Sequence, residues 1–137
     1  MSAQAQAQAL LRWLPAIGWM IVIFGLSSIS GLRVTEDAAV DRPLRVVAHL
    51  GTFALLGGLL LFAIAGLRRP RRSQVVLAYG LTLAYAISDE IHQAFVPNRT
   101  GRLDDIVVDA LGAAVGVALA WLALTWLASR RASAPRP

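Results

Sequence analysis

Four apolar blocks, each nearly free of charge and each about as long as a bilayer core is thick, dominate the sequence. They run from about Leu11 to Ser28, Val46 to Leu67, Ser73 to Phe95 and Asp104 to Ala128. A soluble domain of 137 residues has too little interior to hide a chain that is 57% hydrophobic and only 15% charged. The expected fold is therefore an all-α bundle of four transmembrane helices, a single domain over residues 1–137 in the cell membrane. Pro15 stands near the start of the first block, where a helix tolerates it. That block reads as an uncleaved signal anchor, because no small-residue cleavage site follows it. The stretch 29–45 mixes Arg33, Glu36, Asp37, Asp41, Arg42 and Pro43 without periodicity and reads as a surface loop.

All basic residues are arginines, and their placement fixes an orientation. Four spans put both termini and the middle loop on one side of the membrane. That side holds Arg12, Arg68, Arg69, Arg71, Arg72, Arg130, Arg131 and Arg136; the other holds Arg33, Arg42, Arg45, Arg99 and Arg102. The positive-inside rule then makes both termini cytoplasmic. The net charge of +5 belongs to these helix ends, and no basic stripe with interleaved aromatics points to nucleic acid. With no cysteine in the chain, disulfides, thiolate metal sites and cysteine nucleophiles are excluded.

This topology brings the polar residues of the spans to one end, facing outward. Ser27 and Ser28 close the first span, His49 opens the second, the run SDEIHQ (Ser88 to Gln93) closes the third, and Asp105 and Asp109 open the fourth. Ionisable groups at the edge of hydrocarbon are costly unless paired or hydrated, so they turn toward the bundle interior or a cavity. Asp89 and Gln93 are one helical turn apart, whereas Asp89 and Glu90 diverge by about 100°. Asp105, Asp109, Gly112 and Gly116 form one stripe, acids above glycines, and the glycines invite close helix approach. The expected partner of Gly112 is the third span; a dimer seam along Gly112 and Gly116 is the alternative.

The run SDEIHQAFVPNR (Ser88 to Arg99), followed by Asp105, Asp109 and Gly112 and preceded by the Ser27–Ser28 pair and an isolated His49, resembles the VanZ-like membrane proteins. The resemblance covers essentially the whole chain and implies a four-helix membrane domain. The family's founding member is associated with low-level resistance to the glycopeptide teicoplanin. Carried over by position, the family motif falls on His49, Asp89, Glu90, Gln93, Arg99, Asp105 and Asp109, the expected ligand-binding set. Here the serine pair is followed by Ile-Ser-Gly, and Asp104 adds an acid beside Asp105.

Each of these residues also has a plain structural reading. His49 can donate to a carbonyl at the interface, and Asp89 and Glu90 can pair with Arg99 or Arg102 to pin a loop. Asp105 can complement a helix N-terminus that Thr100 or Asp104 caps. Trp13, Trp19, Trp121 and Trp126 read as interface belts or core filling. A serine nucleophile activated by His49 lacks an identifiable oxyanion hole.

Two functions fit. One is a cell-envelope protein whose outward pocket binds a lipid-linked cell-wall precursor or an amphiphilic lipoglycopeptide among the membrane lipids, without turnover. The other is a membrane enzyme acting on a phospholipid or polyprenyl-phosphate headgroup. There Asp89 or Glu90 is the general base, His49 or His92 an acid or metal ligand, Asp105 and Asp109 ligands for Mg²⁺ or a similar cation, and Arg99 a phosphate clamp. A transport path would require a homo-oligomer. The sequence assigns no definite cofactor, catalytic residue or oligomeric state.

Overall fold

A computed structural model describes residues 2–31, 35, 37–99 and 103–133. The described residues form five helices and no strand: α1 (Ala3–Leu11), α2 (Leu14–Ser27), α3 (Ala38–Ala65), α4 (Arg72–Ala94) and α5 (Leu103–Ala132). The bundle is all-α, as the apolar blocks predict. Among the described residues, three stretches are long and apolar enough to cross a membrane: Gln6–Ser27, Ala39–Ala65 and Leu103–Ala132. The 23 residues of α4 give a helix of about 34 Å, long enough for a bilayer core. Its last turns are too polar to meet the same standard, and several of those polar side chains are buried in the bundle.

The first block is not one regular helix. Arg12 and Trp13 form a turn between α1 and α2, and Pro15 sits in the first turn of α2, where its missing N–H is tolerated. The helix of the second span, α3, corrects a larger expectation. Residues 38–45 are not loop but the first two turns of α3. Asp37 caps them, its side chain accepting from the Ala39 N–H at 2.9 Å, and Asp41 adds an acid to the first turn. Pro43 lies in the second turn, where it leaves the Ala39 carbonyl without its i→i−4 partner, and the helix continues through it. Arg33, Glu36, Thr100 and Arg102 lie outside the described residues.

The ends of α2 and α4 meet the beginnings of α3 and α5, so the four long helices alternate in direction. Short connections enforce this between α3 and α4 and between α4 and α5. At the opposite end, Gln74 in the first turn of α4 donates to the Ile64 carbonyl at 3.3 Å. α3 and α4 each pack against α2, against α5 and against one another. Phe53, Leu56, Leu61, Ala78, Ala86 and Val117 are among the buried core residues. Many outward side chains, among them Ile21, Val47, Val76, Leu111 and Leu119, are large, apolar and exposed, as a lipid-facing surface requires.

The glycine stripe of α5 faces α3 rather than the third span. A Cβ at Gly112 would run into the Leu50 backbone, and one at Gly116 into the Ala54 carbonyl. Backbone-to-backbone approach of this kind needs a residue without a side chain. The stripe is thus an intrachain seam between α3 and α5, and it sets the depth at which the acids above it meet α3.

Candidate functional site

Two rungs cross from α3 to α5. Arg45 Nη2 lies 3.3 Å from Asp105 Oδ2, and one turn deeper His49 Nδ1 lies 2.9 Å from Asp109 Oδ1. Each helix places its two residues four apart, hence on one face, and the glycine seam sets the register between the helices. The upper rung is wet, with the Arg45 side chain 40% exposed. The lower is more enclosed: His49 is partly buried, Asp109 is fully buried, and the second oxygen of Asp109, Oδ2, accepts no hydrogen bond among the described residues.

A second cluster joins the end of α2 to the end of α4. Asp89 Oδ2 accepts from Ser27 Oγ and from Gln93 Nε2, both at 2.8 Å. Gln93 Oε1 in turn accepts from Arg99 Nη1 at 2.9 Å. Ser27, Asp89 and Gln93 are buried, so the chain of contacts runs inside the bundle, where hydrogen bonds are strong and an unmade one is costly. Arg99 continues outward, donating from Nε to the Ile29 carbonyl at 3.1 Å and from Nη2 to the Leu26 carbonyl at 3.2 Å. It therefore ties the 95–99 turn to the frayed end of α2. Burial and the neighbouring Arg45 lower its pKa from the ordinary guanidinium value, while Asp89 and Glu90 act in the opposite direction.

Local sequence explains how Arg99 reaches this position. Pro97 and Asn98 make a tight turn in which Asn98 adopts φ 59°, a left-handed conformation that asparagine tolerates well. Ser30 fastens the turn by donating to the Pro97 carbonyl at 2.6 Å.

Glu90, on α4, is buried and bridges the two clusters. One carboxylate oxygen of Glu90, a His49 ring nitrogen and a carboxylate oxygen of Asp109 lie within 4.8 Å of one another. Between the clusters opens a cleft of about 130 Å³. Ser27, Arg45, His49, Asp89, Gln93 and Arg99 supply its polar lining, and Ile23, Leu26, Ala48 and Phe53 its apolar wall.

The seven residues singled out from the sequence thus gather at one end of the bundle. His49, Asp89, Gln93 and Arg99 line the cleft, Glu90 and Asp109 stand behind it, and Asp105 holds Arg45. Arg99 spends its described hydrogen bonds on Gln93 and main-chain carbonyls. The sequence reading missed Arg45 as a cleft residue. Its signal was the four-residue spacing to His49, which is visible only once residues 38–45 are seen to be helical. Ser28 pairs with His92 Nε2 at 3.0 Å, with Phe24 stacked on that imidazole, and Ser27 pairs with Asp89. Neither described serine contact is with His49.

The sequence matches the VanZ/LLP1 family model over residues 12–125. This span contains α2, α3, α4, most of α5 and every residue of the cleft. The chain belongs to the VanZ/LLP1 family. No curated protein and no solved structure matches it. Family membership and the long apolar helices together make this a VanZ-like membrane protein.

Proposed function

We propose that this VanZ-like protein binds the polar headgroup of a lipid-linked or amphiphilic ligand in its cleft. On this reading α4 also crosses the bilayer, both termini are cytoplasmic, and the cleft opens at the outer leaflet of the cell membrane. One observation carries the proposal: an open cleft lined both by two arginines, a histidine and a carboxylate and by Ile23, Leu26 and Phe53. A phosphate or carboxylate suits the arginines, and an acyl or polyprenyl chain suits the apolar wall and the exposed hydrophobic helix faces beyond it. Arg45 is the better anion contact because its side chain is partly exposed and only its Nη2 is engaged by Asp105, whereas Arg99 is tied to three acceptors. A lipid-linked cell-wall precursor or a lipoglycopeptide has this chemistry, which connects the cleft to the teicoplanin resistance associated with the family.

A second reading, an enzyme acting on a phospholipid or polyprenyl-phosphate headgroup with metal assistance, is favoured by the partly buried His49–Asp109 pair beside Glu90. Native mass spectrometry of protein extracted in mild detergent tests both. A co-purifying phosphate-bearing amphiphile released unchanged supports binding, and one whose mass changes on incubation with divalent metal supports the enzyme. A chain that carries no amphiphile, and whose expression leaves teicoplanin susceptibility unaltered, contradicts both.

A further inference from the structure

We infer that His49, Glu90 and Asp109 form a centre for one first-row divalent transition ion, Zn²⁺ or Mn²⁺, in the wall behind the cleft. The three donors come from three different helices, α3, α4 and α5, yet one ligand atom of each lies within 4.8 Å of the others. Bonds from Zn²⁺ to nitrogen and oxygen are about 2.0–2.2 Å, so ligand atoms around one tetrahedral ion stand about 3.4 Å apart, and the closure is shared between the two side chains of each pair. Sub-ångström side-chain movement therefore closes the set. A second observation points to a missing electrophile. Asp109 is fully buried, His49 satisfies only its Oδ1, and its Oδ2 meets no hydrogen-bond donor among the described residues. A buried carboxylate oxygen without a donor is costly, and a cation is the partner such a group takes in metal proteins.

The donor set selects the ion. One imidazole and two carboxylates suit Zn²⁺ or Mn²⁺, whereas Mg²⁺ and Ca²⁺ take oxygen ligands. Three protein ligands leave at least one coordination position, and His49 is the member that lines the cleft. That position would face a phosphate or carboxylate held by Arg45, so the role of the ion, although not its binding, rests on the reading of the cleft given above.

The test uses the full chain in detergent, stripped with chelator and dialysed against Zn²⁺ or Mn²⁺ alone, with bound metal counted by inductively coupled plasma mass spectrometry. Wild type is expected to retain one ion per chain and to melt at a higher temperature with it. Asp109→Asn and Glu90→Gln, which keep side-chain size, are expected to bind at least about tenfold more weakly. His92→Ala removes the other imidazole at this end and is expected to retain the ion. If a ligand variant fails to fold, the nitrogen coupling of Mn²⁺ in wild type, read by pulsed electron paramagnetic resonance, still decides the matter by reporting one imidazole or none. Wild type without bound Zn²⁺ or Mn²⁺, or equal retention by both carboxamide variants, would overturn the centre. Because bound metal and bound amphiphile are counted separately, a negative metal result leaves ligand binding in the cleft standing, and loss of lipid binding alone leaves the ion standing.

Discussion

Gln93 stands between an anion and a cation, donating to Asp89 Oδ2 at 2.8 Å and accepting from Arg99 at 2.9 Å. No apolar side chain of similar size reproduces either contact. Gln93→Leu is therefore expected to cost about 1–3 kcal/mol, the penalty for unpaired buried polar groups, as a lowered midpoint in thermal denaturation. An unchanged midpoint would mean that water serves both neighbours equally well. Arg45→Ala belongs to the opposite class. Its bridge to Asp105 is half in water, where such a pair contributes about 0–1 kcal/mol, so the midpoint should hardly move while retention of a phosphate-bearing amphiphile falls. Loss of stability with retained ligand would assign Arg45 to the scaffold. The two residues also mark how far the sequence could be read. Gln93 belongs to a dense motif on a helix whose register was plain. Arg45 lies in a charged stretch with a proline, where the capping contact of Asp37 decides in favour of a helix.

At the scale of elements, the seam between α3 and α5 holds the site in register. Gly116 sits where a Cβ would meet the Ala54 carbonyl, whereas a Cβ at Gly80, on an exposed position of α4, meets nothing within 4 Å. Gly116→Ala should accordingly destabilise the bundle by about 1–3 kcal/mol or more, since backbone must move. Gly80→Ala should be neutral or stabilise α4 by about 0.5–1 kcal/mol through the gain in helix propensity. Thermal melting of the two variants side by side checks this, and equal melting points would place the seam elsewhere. The stripe itself was legible from its spacing, but its partner was not. Nearness in sequence favoured the third span, whereas the second span offers Leu50 and Ala54 backbone at the matching depth. Which of two antiparallel neighbours a small-residue stripe faces depends on the rotation of the helix, which tertiary packing sets.

For the whole molecule, alternating helices bring every polar span residue singled out from the sequence to the end away from the Arg68–Arg72 turn. If the arginines mark the cytoplasm, an impermeant thiol reagent on intact cells should label Pro97→Cys and leave Pro70→Cys unlabelled, with no native cysteine to confuse the result. The reverse pattern would invert the protein and turn the cleft inward. The all-α fold class was readable because bilayer thickness sets the length of each apolar block in the sequence. Separating a working cleft from a set of helix pins was not, because both use paired carboxylates and arginines. The central claim is that the polar cluster does more than hold the helices together. Native mass spectrometry with matched melting curves on wild type, Arg45→Ala, Asp89→Asn and Gly116→Ala tests it most directly. The account predicts that Arg45→Ala loses the co-purifying amphiphile while melting close to wild type, that Asp89→Asn loses more amphiphile than its lowered melting point explains, and that Gly116→Ala melts lower yet keeps the amphiphile on its folded fraction. Amphiphile retention that falls only in step with melting temperature across all three variants would contradict the claim and leave the cluster as a network of helix-pinning contacts.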